Sequence, residues 1–150
     1  SPNGSRPSTE SLTACARAIA EANLGSRLCF KNRNMLDQSI YDGATADAVM
    51  LNHCLHHFTR TQAGSVVRSA SKLLAPGGTL IVTESYLSPS GIEPAGAALF
   101  SFYLMVNNAT GELHDVRFLE STLHDNGLAV SSRRIGYQNE EVLLLGHRNQ

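Results

Sequence analysis

The chain has 150 residues, 42% of them hydrophobic, with 12 Lys and Arg against 13 Asp and Glu for a formal net charge of -1. That length suits one domain with one buried core, and the balanced charge gives no electrostatic footprint for nucleic acid or for an anionic membrane. The cysteines at 15, 29 and 54 have no CxxC spacing, which points away from a disulfide framework or zinc ribbon and towards a reducing, cytoplasmic setting.

Residues 1–8, rich in Ser, Pro and Gly, read as a flexible tail ahead of a domain over 9–150. SPNGSRPST lacks the apolar core of a signal peptide, and the longest apolar stretch, AALFSFYLMV at 97–106, is too short to span a bilayer. Leu12, Cys15, Ala16, Ile19, Ala20 and Leu24 recur at helical spacing, with Ser8 or Thr9 able to cap and Gly25 placed as a stop. RLCFKNRNML (27–36) alternates as a strand does, and ADAVMLNHC (46–54) is the continuously apolar run expected of a strand buried on both faces. Ala63, Val66, Val67, Ala70, Leu73 and Leu74 predict a helix over 60–74, ended by APGG (75–78) and followed by a buried strand, TLIVTES (79–85). Strand, helix, strand in that order is a parallel crossover. Further helices are expected at about 94–107 and 115–125, and AVSSRRI (129–135) and EVLLLGH (141–147) form an antiparallel hairpin. The fold class is α/β, mainly parallel with an antiparallel C-terminal edge.

MLNHCLHHF (50–58) concentrates the chemistry. His53 and His57, four apart, with Cys54 or a distant acid could bind zinc. The HExxH pattern is absent, however, and the other cysteines lie on different elements, so no metal site is expected and His53, Cys54 and His57 are surroundings. His56 differs because it falls just past the carboxyl end of a strand, where open parallel sheets bind ligands, and Glu84 falls at the matching end of the next strand. A carboxylate bonded to one imidazole nitrogen fixes the tautomer and leaves the other nitrogen free to take a proton, as from a phenol or enol hydroxyl.

RLCFKNRNML, DAVMLNHCLHHF, LLAPGGTLIVTES, a helix ending in NGL and a final hairpin together resemble the C-terminal catalytic domain of S-adenosylmethionine-dependent small-molecule O-methyltransferases, from Thr9 to the chain end. The resemblance implies an incomplete Rossmann-like sheet with S-adenosylmethionine as cofactor. It makes His56 the general base and Glu84 its orienting carboxylate. Asn34 and Met35 stand where the family sets an Asp-Met pair against adenine, and Asn52 lines the cofactor. Tyr103, Leu104 and Asn108 lie on the helix lining the acceptor pocket, though core or dimer packing is an equal use for Tyr103 and Leu104. In ATGELHD, Glu112 is one position out of register with a further acid of the family and Leu113 takes the matching place, so no second orienting acid is expected.

The chain has no GxGxG, the turn that admits the methionine part of the cofactor in this family. Without the first two strands the sheet has unpaired edges. Three readings stay open: a C-terminal part of an O-methyltransferase whose other half comes from a partner chain, a methyltransferase-like protein doing isomerase, cyclase or decarboxylase chemistry, or a non-catalytic subunit. The expected partners are a small secondary-metabolite hydroxyl acceptor and a second chain, identical or different. Light scattering should accordingly give a mass above that of one 16.1 kDa chain; a monomer at all concentrations would contradict the incomplete-sheet reading.

Overall fold

Along β2 (Leu74–Ser85), Leu74, Gly78, Leu80, Val82 and Glu84 are buried while the alternate residues from Thr79 to Ser85 are only half-buried. That period of two puts one face of the sheet against a core. The computed structural model describes residues 9–150 except 30, 32, 42, 44, 108, 109 and 137–139. The expected tail, residue 108 and most of the final hairpin's turn therefore lie outside the described residues. The chain divides into two units, Ser1–Ile40 and Tyr41–Gln150.

In the first unit, α1 spans Thr9–Glu21. Leu24 N–H reaches the Ile19 carbonyl at 3.1 Å while Asn23 takes a φ of 58, a left-handed residue closing the helix ahead of the expected Gly25. The strand expected over 27–36 is not formed among the described residues. The Asn34 side chain accepts from Leu36 N–H at 3.0 Å and Asp37 from Ser39 N–H at 3.0 Å, so these short polar side chains turn the backbone locally instead of freeing it for a ladder.

In the second unit, β1 (Ala46–Asn52) pairs in parallel with β2, and β4 (Glu141–Arg148) pairs antiparallel with both β2 and β3 (Leu128–Ile135). The sheet order is β1-β2-β4-β3, a mixed α/β arrangement with one parallel and two antiparallel pairings. The crossover helix α2 (Arg60–Lys72) starts with a capping box between Thr59 and Gln62, and α4 (Val116–Asp125) starts on Asp115, which accepts from Phe118 N–H at 2.9 Å. Between them α3 spans Ala95–Asn107. Ala63, Val66, Val67 and Ala70 of α2, Leu119 and Leu123 of α4, Leu80 and Val82 of β2, and Val142 and Leu144 of β4 form the core. Each large aliphatic side chain buried there is worth about 1.5–3 kcal/mol relative to exposure.

Three further expectations are corrected. β1 is not buried on both faces: Leu51 alone is buried and Met50 is 63% exposed, because β1 lies at a sheet edge among the described strands. Likewise β2 is buried on one face only. APGG is not a turn after α2 but the bulged start of β2, where pairing jumps from Ala46↔Leu74 to Ala48↔Thr79. Gly77 takes a φ of 77 there, in the region that favours glycine. A Cβ on Gly78 would come within 2.9 Å of the Ala75 carbonyl oxygen and 3.1 Å of those of Ala46 and Asp47. Backbone atoms cannot swing aside, so Gly78→Ala should cost about 1–3 kcal/mol in a denaturant titration; an unchanged midpoint would show that the bulge can open without cost.

Candidate active site

β1 and β2 run in parallel and end side by side at Asn52↔Thr83, so the residues just after β1 and the last residues of β2 share one rim. His53 extends the ladder by donating its N–H to the Thr83 carbonyl at 2.9 Å, and its φ of 46 breaks the strand. The chain then closes a single 3₁₀ turn, Leu55–His57, with Leu55 and His56 buried.

Glu84 is the other half. Continuing the inward alternation of Leu80 and Val82, its carboxylate enters the core face and is only 1% exposed. Burying a carboxylate is costly unless its oxygens are satisfied. Oε1 accepts the Leu55 N–H at 2.6 Å, and Oε2 lies 2.7 Å from His56 Nδ1, whose residue is 5% exposed. An ionised carboxylate can only accept, so His56 carries its proton on Nδ1 and keeps the Nε2 lone pair. Phe100 of α3 meets the His56 ring edge-on at 5.1 Å and stacks on Tyr103 with centroids 6.3 Å apart. The His57 ring lies 4.3 Å from that of His56, and burial, then the neighbouring His56, lowers its pKa.

A strap before α4 holds this turn from behind. Glu112 N–H donates to the His56 carbonyl at 3.0 Å, Glu112 Oε1 accepts from Arg60 N–H at 2.7 Å, and His114 Nε2 lies 3.0 Å from the Leu55 carbonyl oxygen. Arg60 pairs with Asp115 and lies over the Phe118 ring at 4.7 Å. Although burial opposes it, the Phe118 amide and the Arg60 guanidinium hold the Asp115 carboxyl below its ordinary value. Glu112 therefore caps α2 rather than flanking His56. Sequence reasoning passed over Phe100 and His114; a loop histidine carries no periodic signal that it is buried.

The remaining expected residues are spread over both units. Asn52 is exposed and its Oδ1 accepts from the Thr83 hydroxyl. Tyr103 is exposed, Leu104 is buried, and Asn108 lies outside the described residues. In the first unit Asn34 is exposed and Met35 half-buried, adjacent on a turn that Asp37 N–H closes onto the Asn34 carbonyl at 2.9 Å. His53, His56 and Glu84 offer ligand-capable atoms within 4.8 Å of one another, a different set from the His53–His57 pairing considered for zinc. His53 Nε2 also lies 3.6 Å from Glu141 Oε2.

Residues 11–128 match the O-methyltransferase domain family, and the chain belongs to that family. It is 37% identical to an O-methyltransferase family protein from Burkholderia thailandensis, with a TM-score of 0.86 over 95% of this chain and 42% of that one. Two more distant structures share the fold. An O-methyltransferase family 2 protein from Planctomyces limnophilus, solved in complex with apigenin, is 21% identical, with a TM-score of 0.77 over 93% of this chain and 40% of that one. PigF, solved with SAH, is 16% identical, with a TM-score of 0.75 over 93% and 46%. The chain thus spans less than half the length of these proteins. No match was found among curated proteins. The family uses S-adenosylmethionine. No helix among the described residues is long and apolar enough to cross a membrane.

Cys54, beside the turn, is no nucleophile: burial and then the Glu84 carboxylate push its thiol up to about 12. At pH 8 iodoacetamide should modify the exposed Cys15 and Cys29 while Cys54 stays protected until the chain unfolds or the pH nears that value. Peptide mass spectrometry checks this, and Cys54 reacting as fast as the other two would contradict the half-buried, charge-flanked setting.

Proposed function

We propose that this chain is the acceptor-activating, C-terminal part of an S-adenosylmethionine-dependent O-methyltransferase, with His56 as general base and Glu84 as its orienting carboxylate. The observation that carries the reading is the 2.7 Å contact between His56 Nδ1 and a carboxylate that is itself 1% exposed. A positioned imidazole with a fixed tautomer takes a proton at Nε2 from a hydroxyl brought within hydrogen-bond reach. The buried carboxylate then faces an imidazolium, and the charge forming on the ring is met by one already in place. Phe100 and Tyr103 offer an aromatic wall beside the His56 ring, which suits a small, largely apolar acceptor carrying one hydroxyl. Of the two expected pocket residues that are described, Tyr103 is the one available to an acceptor, since Leu104 is buried.

In the first unit the residues that would meet the adenine are Asn34 and Met35; in the second unit Asn52 is a separate candidate for lining the cofactor. Asn34 suits a purine edge: its Oδ1, already oriented by Leu36 N–H, has a second lone pair, and its amide nitrogen can donate. The adjacent thioether of Met35 suits a purine face. When bound, S-adenosylmethionine supplies a methyl group on a sulfonium that leaves as a neutral thioether, which is why a base and good positioning suffice. The glycine-rich turn and ribose acid would come from chain outside these 150 residues, in a different partner chain or a longer polypeptide.

Calorimetry with S-adenosylmethionine, on the chain alone and co-expressed with neighbouring proteins, tests the proposal. Binding and methyl transfer should need a second component, and in that complex His56→Ala should lower kcat by about 10²–10⁴-fold with Glu84→Gln lowering it less. Tight binding by the isolated chain would remove the split-site argument. Transfer that survives His56→Ala would remove the base.

A further inference from the structure

The Leu55 peptide carries opposite duties at its two ends. Its N–H is one of the two donors to Glu84, and its carbonyl oxygen accepts both the Phe58 N–H that closes the 3₁₀ turn, at 3.0 Å, and His114 Nε2, also at 3.0 Å. A carbonyl has two lone pairs, so both are used, one within the turn and one from outside it. We propose that His114 is a positioning residue for the His56–Glu84 pair, anchoring the Leu55 carbonyl so that one peptide segment presents an N–H to one Glu84 oxygen and the His56 ring to the other.

Three observations converge on this. His114 is 2% exposed, which rules out a solvated role for its ring. A carbonyl oxygen can only accept, so His114 is protonated on Nε2; Nδ1, buried with no hydrogen-bond partner among the described residues, then carries the lone pair. His114 and Asp115 are also consecutive, so the residue that starts α4 fixes the position from which His114 reaches the turn. The groups facing His114 are Glu84 of β2, Arg60 of α2, Glu112 of its own strap and the Phe118 ring of α4 at 5.1 Å. Burial outweighs the Leu55 carbonyl and the two carboxylates and lowers its pKa, so it donates as a neutral ring. A neutral donor adds no positive charge competing with His56 for Glu84, which a lysine or arginine in its place would do. Backbone N–H of Glu112 on the His56 carbonyl completes the clamp.

The consequence for catalysis rests on His56 being the base, but the test reads the pair itself. Long-range ¹H–¹⁵N spectra of the whole chain, labelled at histidine, report each ring's tautomer. In the wild type His114 should be Nε2–H and His56 Nδ1–H. His114→Phe keeps a ring and removes the donor, and should lower the His56 Nδ1–H to Nε2–H ratio about fivefold, the effect of one neutral hydrogen bond. His114→Gln, whose amide nitrogen falls near the Nε2 position, should restore it. An unchanged ratio in folded His114→Phe overturns the proposal and reduces His114 to packing. Where His114→Phe does not fold, the other two proteins decide: a wild-type His114 found as Nδ1–H, or a ratio lost in folded His114→Gln, overturns it. Glu84→Gln separates the two readings, because a His56 ratio indifferent to Glu84→Gln removes the base assignment itself, whereas indifference to His114→Phe alone removes only the positioning role.

Discussion

The second unit is organised by one constraint: a carboxylate at position 84 lies inside the core and both of its oxygens need donors. A buried, unpaired carboxylate would be expensive. The donors come from the turn after β1, through the Leu55 N–H and the His56 ring. That turn is consequently held at the end of β2, with the imidazole fixed in orientation. The two hydrogen bonds that satisfy Glu84 at this point are the same two that hold the turn and the His56 ring in place.

Around that pair the layers have distinct duties. The parallel pairing of β1 with β2 brings the two strand ends to one rim, and α2, capped by Thr59 and again by Glu112, leaves directly from the turn. The strap from Thr110 to Asp115 returns from α3 and fastens the turn at the His57, His56 and Leu55 carbonyls before α4 begins. On the other side Phe100 and Tyr103 supply aromatic surface. The buried carboxylate, the imidazole, the strap and the aromatic surface therefore come from four different segments.

The edge position of β1 gives this arrangement its context. Met50 is exposed on a strand whose partner lies on one side only among the described strands, while the chain covers 42% of the length of the Burkholderia O-methyltransferase family protein. A sheet edge with unpaired N–H and C=O groups is a place for further strands. The same strand carries the exposed Asn52.

Much of the architecture was legible in the residues. Helical spacing located α2 within two residues, the helical stretches expected for α3 and α4 fell within one, and two strand-like runs located the hairpin, because those signals act between near neighbours. RLCFKNRNML misled because its alternation said nothing about whether a partner strand was available, and Asn34 and Asp37 satisfied the backbone locally. APGG misled in the opposite sense: its glycines permit a turn, but the neighbouring carbonyls of Ala46 and Asp47 made them a close-packed bulge. By itself the sequence determined which residues could carry the chemistry, an imidazole past one strand end and a carboxylate at the next. Only the tertiary structure decided that Glu84 faces inward, that His56 is held through Nδ1, and that His114 reaches the Leu55 carbonyl, because each depends on donors and acceptors separated by dozens of residues and brought together by the packing of the sheet against α2 and α4.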